Sequence, residues 1–504
     1  MSQEILSLLK KLGPGLTSEF IEAMTKDGIS ESAARKRIQR AQSSYERLAG
    51  LRFEKNARFI YLTEQYGGLQ FWQKFEEACH QAGKSYWATI ASLRSRGGVA
   101  PRELFPRIAG TPMARKGQLS PDRVLERLIK TNLLEILNEE EREYVCFKPH
   151  YFPKVPLSHV RANELAEEIA LMGVKDWARK IGFGSYGKFA VRYEAQPPVV
   201  SGISWDLSAP SYMRPLVSVR GGNVIPGFIV CDINLMDVIG KKEAEAFIRK
   251  CDLAAAPLRV PPILPILVGH VFETEALSIL KGKGILAIAL KNLFGEELAE
   301  ALRELVEMLT DLGQKISGNP DKLVSVMNNL SKIQGASDNL IGDLFELVIG
   351  GLVKEIEGGY LKTGERRRDL MTGREVEIDV QIDRGDDKGY LIIECKAKKP
   401  NARVSEADIK KWYGDRVPLI YSILSNGGTY TKKPFHFELW TNGQFSNSGR
   451  AWLEKQKTVL DGYTVAWKEG EQLKAYSDNA KNKSLKNMLN EHYFRSALKK
   501  ATTA

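Results

Sequence analysis

The segment "GYLIIECKAKKP", beginning at Gly389, constrains the fold more tightly than any other part of the chain. Tyr390, Leu391, Ile392 and Ile393 form the near-continuous apolar run of a strand covered on both faces. The run then turns charged at every second position, with Glu394, Lys396 and Lys398. Strand side chains alternate between faces, so these three share one side while Cys395 and Ala397 point to the other. A strand from the middle of a sheet therefore presents an acid and a base together.

Upstream, "EVEIDVQID" alternates Val376, Ile378, Val380 and Ile382 with Glu377, Asp379 and Gln381, which puts Asp379 on the polar face of another strand. The short loop "DRGDDKG" returns the chain, so the two strands are expected to pair and bring Asp379 to Glu394, with Lys396 two positions further on. Two carboxylates there suit a hard divalent cation, Mg2+ or Mn2+ in its place, with water and phosphate oxygens completing the shell. A lysine beside them would orient and help deprotonate an attacking water and offset charge developing in the transition state. Glu346, a lone acid in the apolar helical stretch "DNLIGDLFELVIGGLV", wants a partner or a metal. Phosphodiester hydrolysis is the reaction these parts suit. An E-x-K triplet alone is an everyday solvated ion pair on surface strands. Its strand context, the upstream Asp and the helix Glu set this one apart.

"FELVIGGLVKEIEGGY", "EIDVQI", "LIIECKAK" and "FELWTNGQFSNSGRAWLEKQ" together resemble the PD-(D/E)xK nuclease superfamily, and within it the Mrr-like restriction endonuclease branch. The resemblance covers roughly residues 336 to 476. It implies a catalytic set of Glu346, Asp379, Glu394 and Lys396, with the metal on Asp379 and Glu394. Two departures stand out. Ile378 occupies the position of the family's proline, and "ADIKKWYGD" lacks the helix glutamine, leaving Lys410 or Lys411 as substitutes.

The rest of the chain divides by pattern into residues 1–66, 67–150, 151–295 and a helical connector 296–335, ahead of the nuclease-like 336–504. In "TSEFIEAMTKDGISESAARKRIQRAQ" Thr17 and Ser30 are candidate caps for two helices broken at Asp27-Gly28, the second carrying Arg35, Lys36, Arg37 and Arg40. With the strand-like "GLRFEKNARFIYLT" this reads as a winged helix whose second helix enters a DNA groove. Residues 67–150 repeat the pattern loosely. Residues 151–295 alternate strands and helices in an α/β layer. The order of "GFIVCDINL" and "LPILVGHVFETEALSILKGKGILAIAL" follows that of the last domain, as in a degenerate nuclease copy, with Cys231 and Ile233 where Glu394 and Lys396 would stand and only Asp232 nearby. The glycines of "GFGSYG", Gly182, Gly184 and Gly187, read as a turn, since no other kinase motif accompanies them. The fold class is multidomain α/β.

A net charge of +11 and a pI near 9.1 favour a polyanionic partner, DNA. Arg366, Arg367 and Arg368, in a charged loop just before the Asp strand, are further candidates for phosphate contact. The five cysteines have neither disulfide nor zinc spacing, and no apolar tract is long enough to span a bilayer, as in a cytoplasmic protein. The expected activity is a magnesium-dependent DNA endonuclease serving restriction or phage defence. A non-catalytic DNA-binding regulator or tether on an inactive nuclease fold is the competing reading. Cutting both strands with one site per chain calls for a homodimer. An activating protein partner is left open.

Overall fold

The ladder of antiparallel and parallel strands that carries "YLIIECK" organises the C-terminal part of this multidomain α/β protein. The computed structural model describes residues 2–139, 142–193, 197–220, 222–257, 260–310, 324–326, 329–330, 345–369, 372–398, 402–425 and 433–494. Its packing separates two units, Met1–Gly295 and Glu296–Ala504. Most of the expected connector beyond Thr310 lies outside the described residues. No described helix is long and apolar enough to cross a membrane.

The first unit begins with α1 (Ser2–Leu12), β1 (Gly15–Leu16), α2 (Thr17–Lys26), α3 (Glu31–Arg40), β2 (Glu46–Arg47) and β3 (Phe59–Tyr61), the strands lying in the order β1-β3-β2. Ser30 caps α3 by accepting from the Ala33 amide at 3.4 Å. Thr17 does not cap α2; its hydroxyl accepts from the Arg58 amide and ties β1 to the approach of β3. Ala34 and Ile38 turn inward onto Ile5, Leu9, Phe20 and Met24, which leaves the basic side of α3 outside. After α4 (Leu69–Ala82) the same connectivity returns as α5 (Lys84–Arg94), β4 (Val99–Pro101), α6 (Phe105–Ala109), α7 (Pro121–Lys130), β5 (Leu134–Glu139) and β6 (Arg142–Phe147), again in the order β4-β6-β5.

Still in this unit, α8 (Leu157–Lys180) precedes β7 (Ala190–Val191), β8 (Leu207–Ser211), β9 (Gly227–Asn234), α9 (Lys241–Ala255), β10 (Ile263–Gly269), α10 (Thr274–Gly282) and β11 (Leu286–Ala289). The sheet runs β11-β10-β9-β8-β7, antiparallel through β7, β8 and β9 and parallel from β9 to β11. Gly182 lies in the turn that follows α8.

The second unit contains α11 (Glu296–Thr310), α12 (Phe345–Glu357), β12 (Tyr360–Arg368), β13 (Glu375–Asp383), β14 (Tyr390–Lys396), α13 (Glu406–Lys411), α14 (Val417–Ser425), β15 (Phe435–Thr441), α15 (Asn447–Leu453), β16 (Val459–Leu460) and β17 (Tyr463–Lys468). Its sheet runs β12-β13-β14-β15-β17-β16, antiparallel through β12, β13 and β14 and parallel through β14, β15 and β17. Helix α12 packs on β12, β13 and β14. Ile409, Trp412 and Ile420 of the helical segment enclose a core with Ile392, Phe437 and Leu439.

The structure departs from the sequence pattern at two places. The stretch holding Arg366, Arg367 and Arg368 is not a loop but the outer part of β12, paired along β13 through Arg368↔Glu375. An edge strand tolerates such charge because one side of its ladder faces no further strand. In the middle sheet, the last β8–β9 pair is Leu207↔Cys231, and the last β13–β14 pair is Val380↔Ile393. Aligned on those ladders, Asp232 and Asn234 stand where Glu394 and Lys396 do. Cys231 and Ile233 do not, because alternation around a one-residue slip exchanges the faces.

Gly389 immediately precedes β14 with a φ of +65°, and a Cβ there would meet the Pro434 carbonyl oxygen at 1.9 Å. Gly389→Ala is expected to lower the stability of the second unit by more than about 2 kcal/mol, since both the backbone and the neighbouring chain resist the methyl group. A shifted urea midpoint with unchanged slope is the readout.

Candidate functional site

The site begins where a ladder stops. Strands β13 and β14 pair from Asp383↔Tyr390 to Val380↔Ile393 and then part, leaving Asp379 and Glu394 side by side at the fork. On its other side β13 pairs with β12, yet the register passes from Thr363↔Val380 to Glu365↔Ile378 without a pair at Asp379. The residue opposite is Gly364, with a φ of +59°, so both neighbouring ladders break at this position. The freed Asp379 side chain accepts the Cys395 amide through Oδ2 at 2.7 Å. That amide would otherwise be a buried donor without a partner.

Glu394 is 4% exposed and is flanked by two cations. Lys396 Nζ stands 2.7 Å from Oε1, and Arg416 Nη2 stands 3.0 Å from Oε2. The same Nη2 is 3.9 Å from Asp379 Oδ1 and donates to the Glu377 carbonyl at 2.8 Å. One guanidinium thus sits between the two carboxylates. Burial first, then the charges of Glu394 and Glu346, pushes the Asp379 carboxyl well above the usual carboxylate range, against the Cys395 amide and Lys396. Burial works against the Lys396 charge, but Glu394 and Asp379 outweigh it and raise its pKa. The influence of Glu346 on Asp379 brings this half-buried acid at the start of α12 into the same electrostatic group.

Arg416 was not legible as a site residue. It ends a π-helical turn, Trp412–Arg416, inserted between α13 and α14. The wide turn changes the phase of the helix and swings Arg416 toward the sheet, as π-bulges often do at functional sites. Lys410 pairs instead with Glu406 at 2.6 Å, and Lys411 is exposed, so neither reaches the fork. The available signal was a single arginine opening the apolar run "VPLIYSIL", next to two more conspicuous lysines.

The candidate DNA-contacting residues divide. Arg35, Lys36 and Arg40 are exposed on α3, Arg35 in an exposed pair with Glu31. Arg37 is turned toward α1, where it meets Glu4 at 2.6 Å. Arg367 pairs with Glu365 at 2.7 Å, and Arg368 is exposed near Glu375. The Arg366 side chain lies outside the described residues.

Among the described residues no group of three or more His, Cys, Asp or Glu side chains is arranged to hold a metal ion. The donor set at the fork nonetheless has the chemistry Mg2+ takes, which is one or two carboxylates with the remaining positions left to water and substrate. Glu394 Oε1 is buried and meets Lys396 Nζ at 2.7 Å, a cationic partner that a bound metal would share or displace. An oxygen in that state is suited to a cation. All five cysteines are buried and unpaired.

No family model matches this sequence, and comparison with curated proteins finds none similar to it. Among solved structures, an MspJI restriction endonuclease in complex with a 27-mer oligonucleotide aligns at 15% identity and a TM-score of 0.19, over 43% of this chain. The chain spans about half, 49%, of that protein.

A carboxyl whose folded pKa is raised above 3.8 contributes stability below that value and loses it as pH rises through the folded pKa. In EDTA, the melting temperature of the wild type relative to Asp379→Asn is therefore expected to fall as pH is raised from about 4. Parallel curves across that range would contradict the assigned burial and crowding.

Proposed function

We propose that this chain is a metal-dependent DNA endonuclease that hydrolyses phosphodiester bonds. The observation that carries the reading is the fork itself: Asp379 and Glu394 side by side where β13 and β14 part, with Lys396 and Arg416 directed at them. Asp379 Oδ1 and Glu394 Oε1 would hold Mg2+, with Glu346 as the neighbouring acid. The ion, when bound, supplies a water of lowered pKa and a positive charge against the scissile phosphate.

The chain's own residues account for the rest. Lys396 holds its proton more firmly than a free lysine, so its part is that of a donor and a charge rather than a base. It would hydrogen-bond the attacking water or a phosphate oxygen as negative charge develops there. Arg416, a fork of donors fixed by the Glu377 carbonyl, is suited to a phosphate oxygen once it leaves Glu394. Asp379 remains fixed in rotamer by the Cys395 amide throughout.

Recognition fits the N-terminal unit. The order of α1 to β3, with sheet order β1-β3-β2, supports a winged helix that presents Arg35, Lys36 and Arg40 to a DNA groove. A cutting centre and a reading helix on one chain suit a restriction or phage-defence effector, active as a homodimer if both strands are cut. One observation favours the competing tether or regulator: both Glu394 oxygens already face protein cations, as in a site that never takes metal.

Incubating plasmid and linear DNA with the protein in Mg2+, Mn2+ or EDTA separates the two. Cutting is expected only with metal and is expected to fall by at least about 100-fold in Asp379→Ala and in Lys396→Met. DNA binding should survive in both. Cutting in EDTA, or cutting unaffected by Asp379→Ala, would remove the assignment. Arg40→Ala is expected to weaken DNA binding and to reduce its salt slope by about one unit, measured by titration at several salt concentrations.

A further inference from the structure

The middle sheet repeats the fork. Beyond its last pair, Leu207↔Cys231, β8 and β9 leave Asp206 beside Asp232, as β13 and β14 leave Asp379 beside Glu394. Asp206 Oδ2 accepts the Ile233 amide at 2.8 Å, the counterpart of the bond from the Cys395 amide to Asp379 Oδ2. β9 continues against β10 to Asn234↔Gly269, as β14 continues against β15 to Lys396↔Thr441. The helix before each sheet adds an acid, Glu167 on α8 and Glu346 on α12, and the helical segment that follows β9 or β14 adds a cation, Lys250 on α9 and Arg416 before α14. The lysine position alone has become neutral, as Asn234.

The space that a metal and a phosphate need is filled in this copy. Arg96 and Arg192 both pair with Glu167, at 3.2 and 2.8 Å. Arg107 and Arg192 pair with Asp206 at 2.9 and 3.0 Å, and Lys250 pairs with Asp232 at 2.5 Å. A cavity of about 30 Å3 remains, lined by Arg107, Asp232, Glu243 and Lys250. Ligand sites begin at roughly 300 Å3, so nothing the size of a nucleotide enters. Two of the cations, Arg96 and Arg107, belong to the α5–β6 segment. Asn234 also reaches that segment, donating to the Ser95 hydroxyl at 3.2 Å.

We propose that Glu167, Asp206 and Asp232 are the acids of a second, silenced nuclease core, turned into a socket that grips Arg96 and Arg107 and so fixes the α5–β6 segment to the sheet. The word nuclease rests on the reading of the second unit given above; the socket itself does not. Removing one member of such a buried group leaves an unpaired charge, whereas removing both partners costs far less.

The test uses the full chain carrying Asp379→Asn, which silences the other fork, and reads amide hydrogen exchange rather than cutting. Mn2+ is expected to leave exchange in β8 and β9 unchanged from EDTA. Arg107→Ala is expected to speed exchange in β4, β6 and α7 at least tenfold, and Arg107→Met combined with Asp206→Asn to recover most of that loss. The double variant also serves if Arg107→Ala alone does not fold. Protection of β8 and β9 by Mn2+ that Asp206→Asn abolishes would overturn the proposal by showing a live metal site. So would unchanged exchange in Arg107→Ala, or a double variant damaged as much as the two single changes added together.

Discussion

When β13 and β14 separate after Val380 and Ile393, the Cys395 amide loses its cross-strand acceptor, and the Asp379 carboxylate takes that role at 2.7 Å. Everything at the site follows from this exchange. It fixes one oxygen of Asp379 in the backbone network, leaves the other facing Arg416, and holds Glu394 alongside. The glycine opposite Asp379 in β12 releases the strand on its second side. A sheet is otherwise a poor place for paired carboxylates, because each must leave water without gaining a partner.

The cost of that arrangement appears in its neighbours. Two acids and a half-buried third repel one another, and Lys396 and Arg416 lie where they offset the repulsion. The middle sheet meets the same problem with arginines and a lysine packed permanently into place. The difference is access. Lys396 and Arg416 keep 32% and 27% of their side chains exposed, whereas Arg107 and Lys250 keep 6% and 3%. Exposure of the cations separates the open fork of the second unit from the sealed one in the middle sheet.

Much of this was legible in advance, and the misses have physical causes. The apolar run ending in Glu394-x-Lys396 and the alternation around Asp379 gave the two strands, because period two is a strong local signal. The stretch holding Arg366, Arg367 and Arg368 reads as a charged loop because a glycine and three arginines carry no strand pattern, although an edge strand accepts them. Arg416 was missed because a π-helical turn shifts helical phase by an amount no residue count reveals. The one-residue slip at Cys231 arose because two apolar strands align equally well in either register until a ladder pins them.

The sequence by itself determined the α/β class, the acid and base on one strand, and the basic side of α3, since all three rest on local periodicity and residue chemistry. Only the tertiary structure decided which cations meet which carboxylates. Arg96 and Glu167 lie 71 positions apart, and Arg107 reaches the Ile233 carbonyl across 126. Pairings at such separations are set by how the sheet packs against the segments that cover it, and no local pattern encodes them.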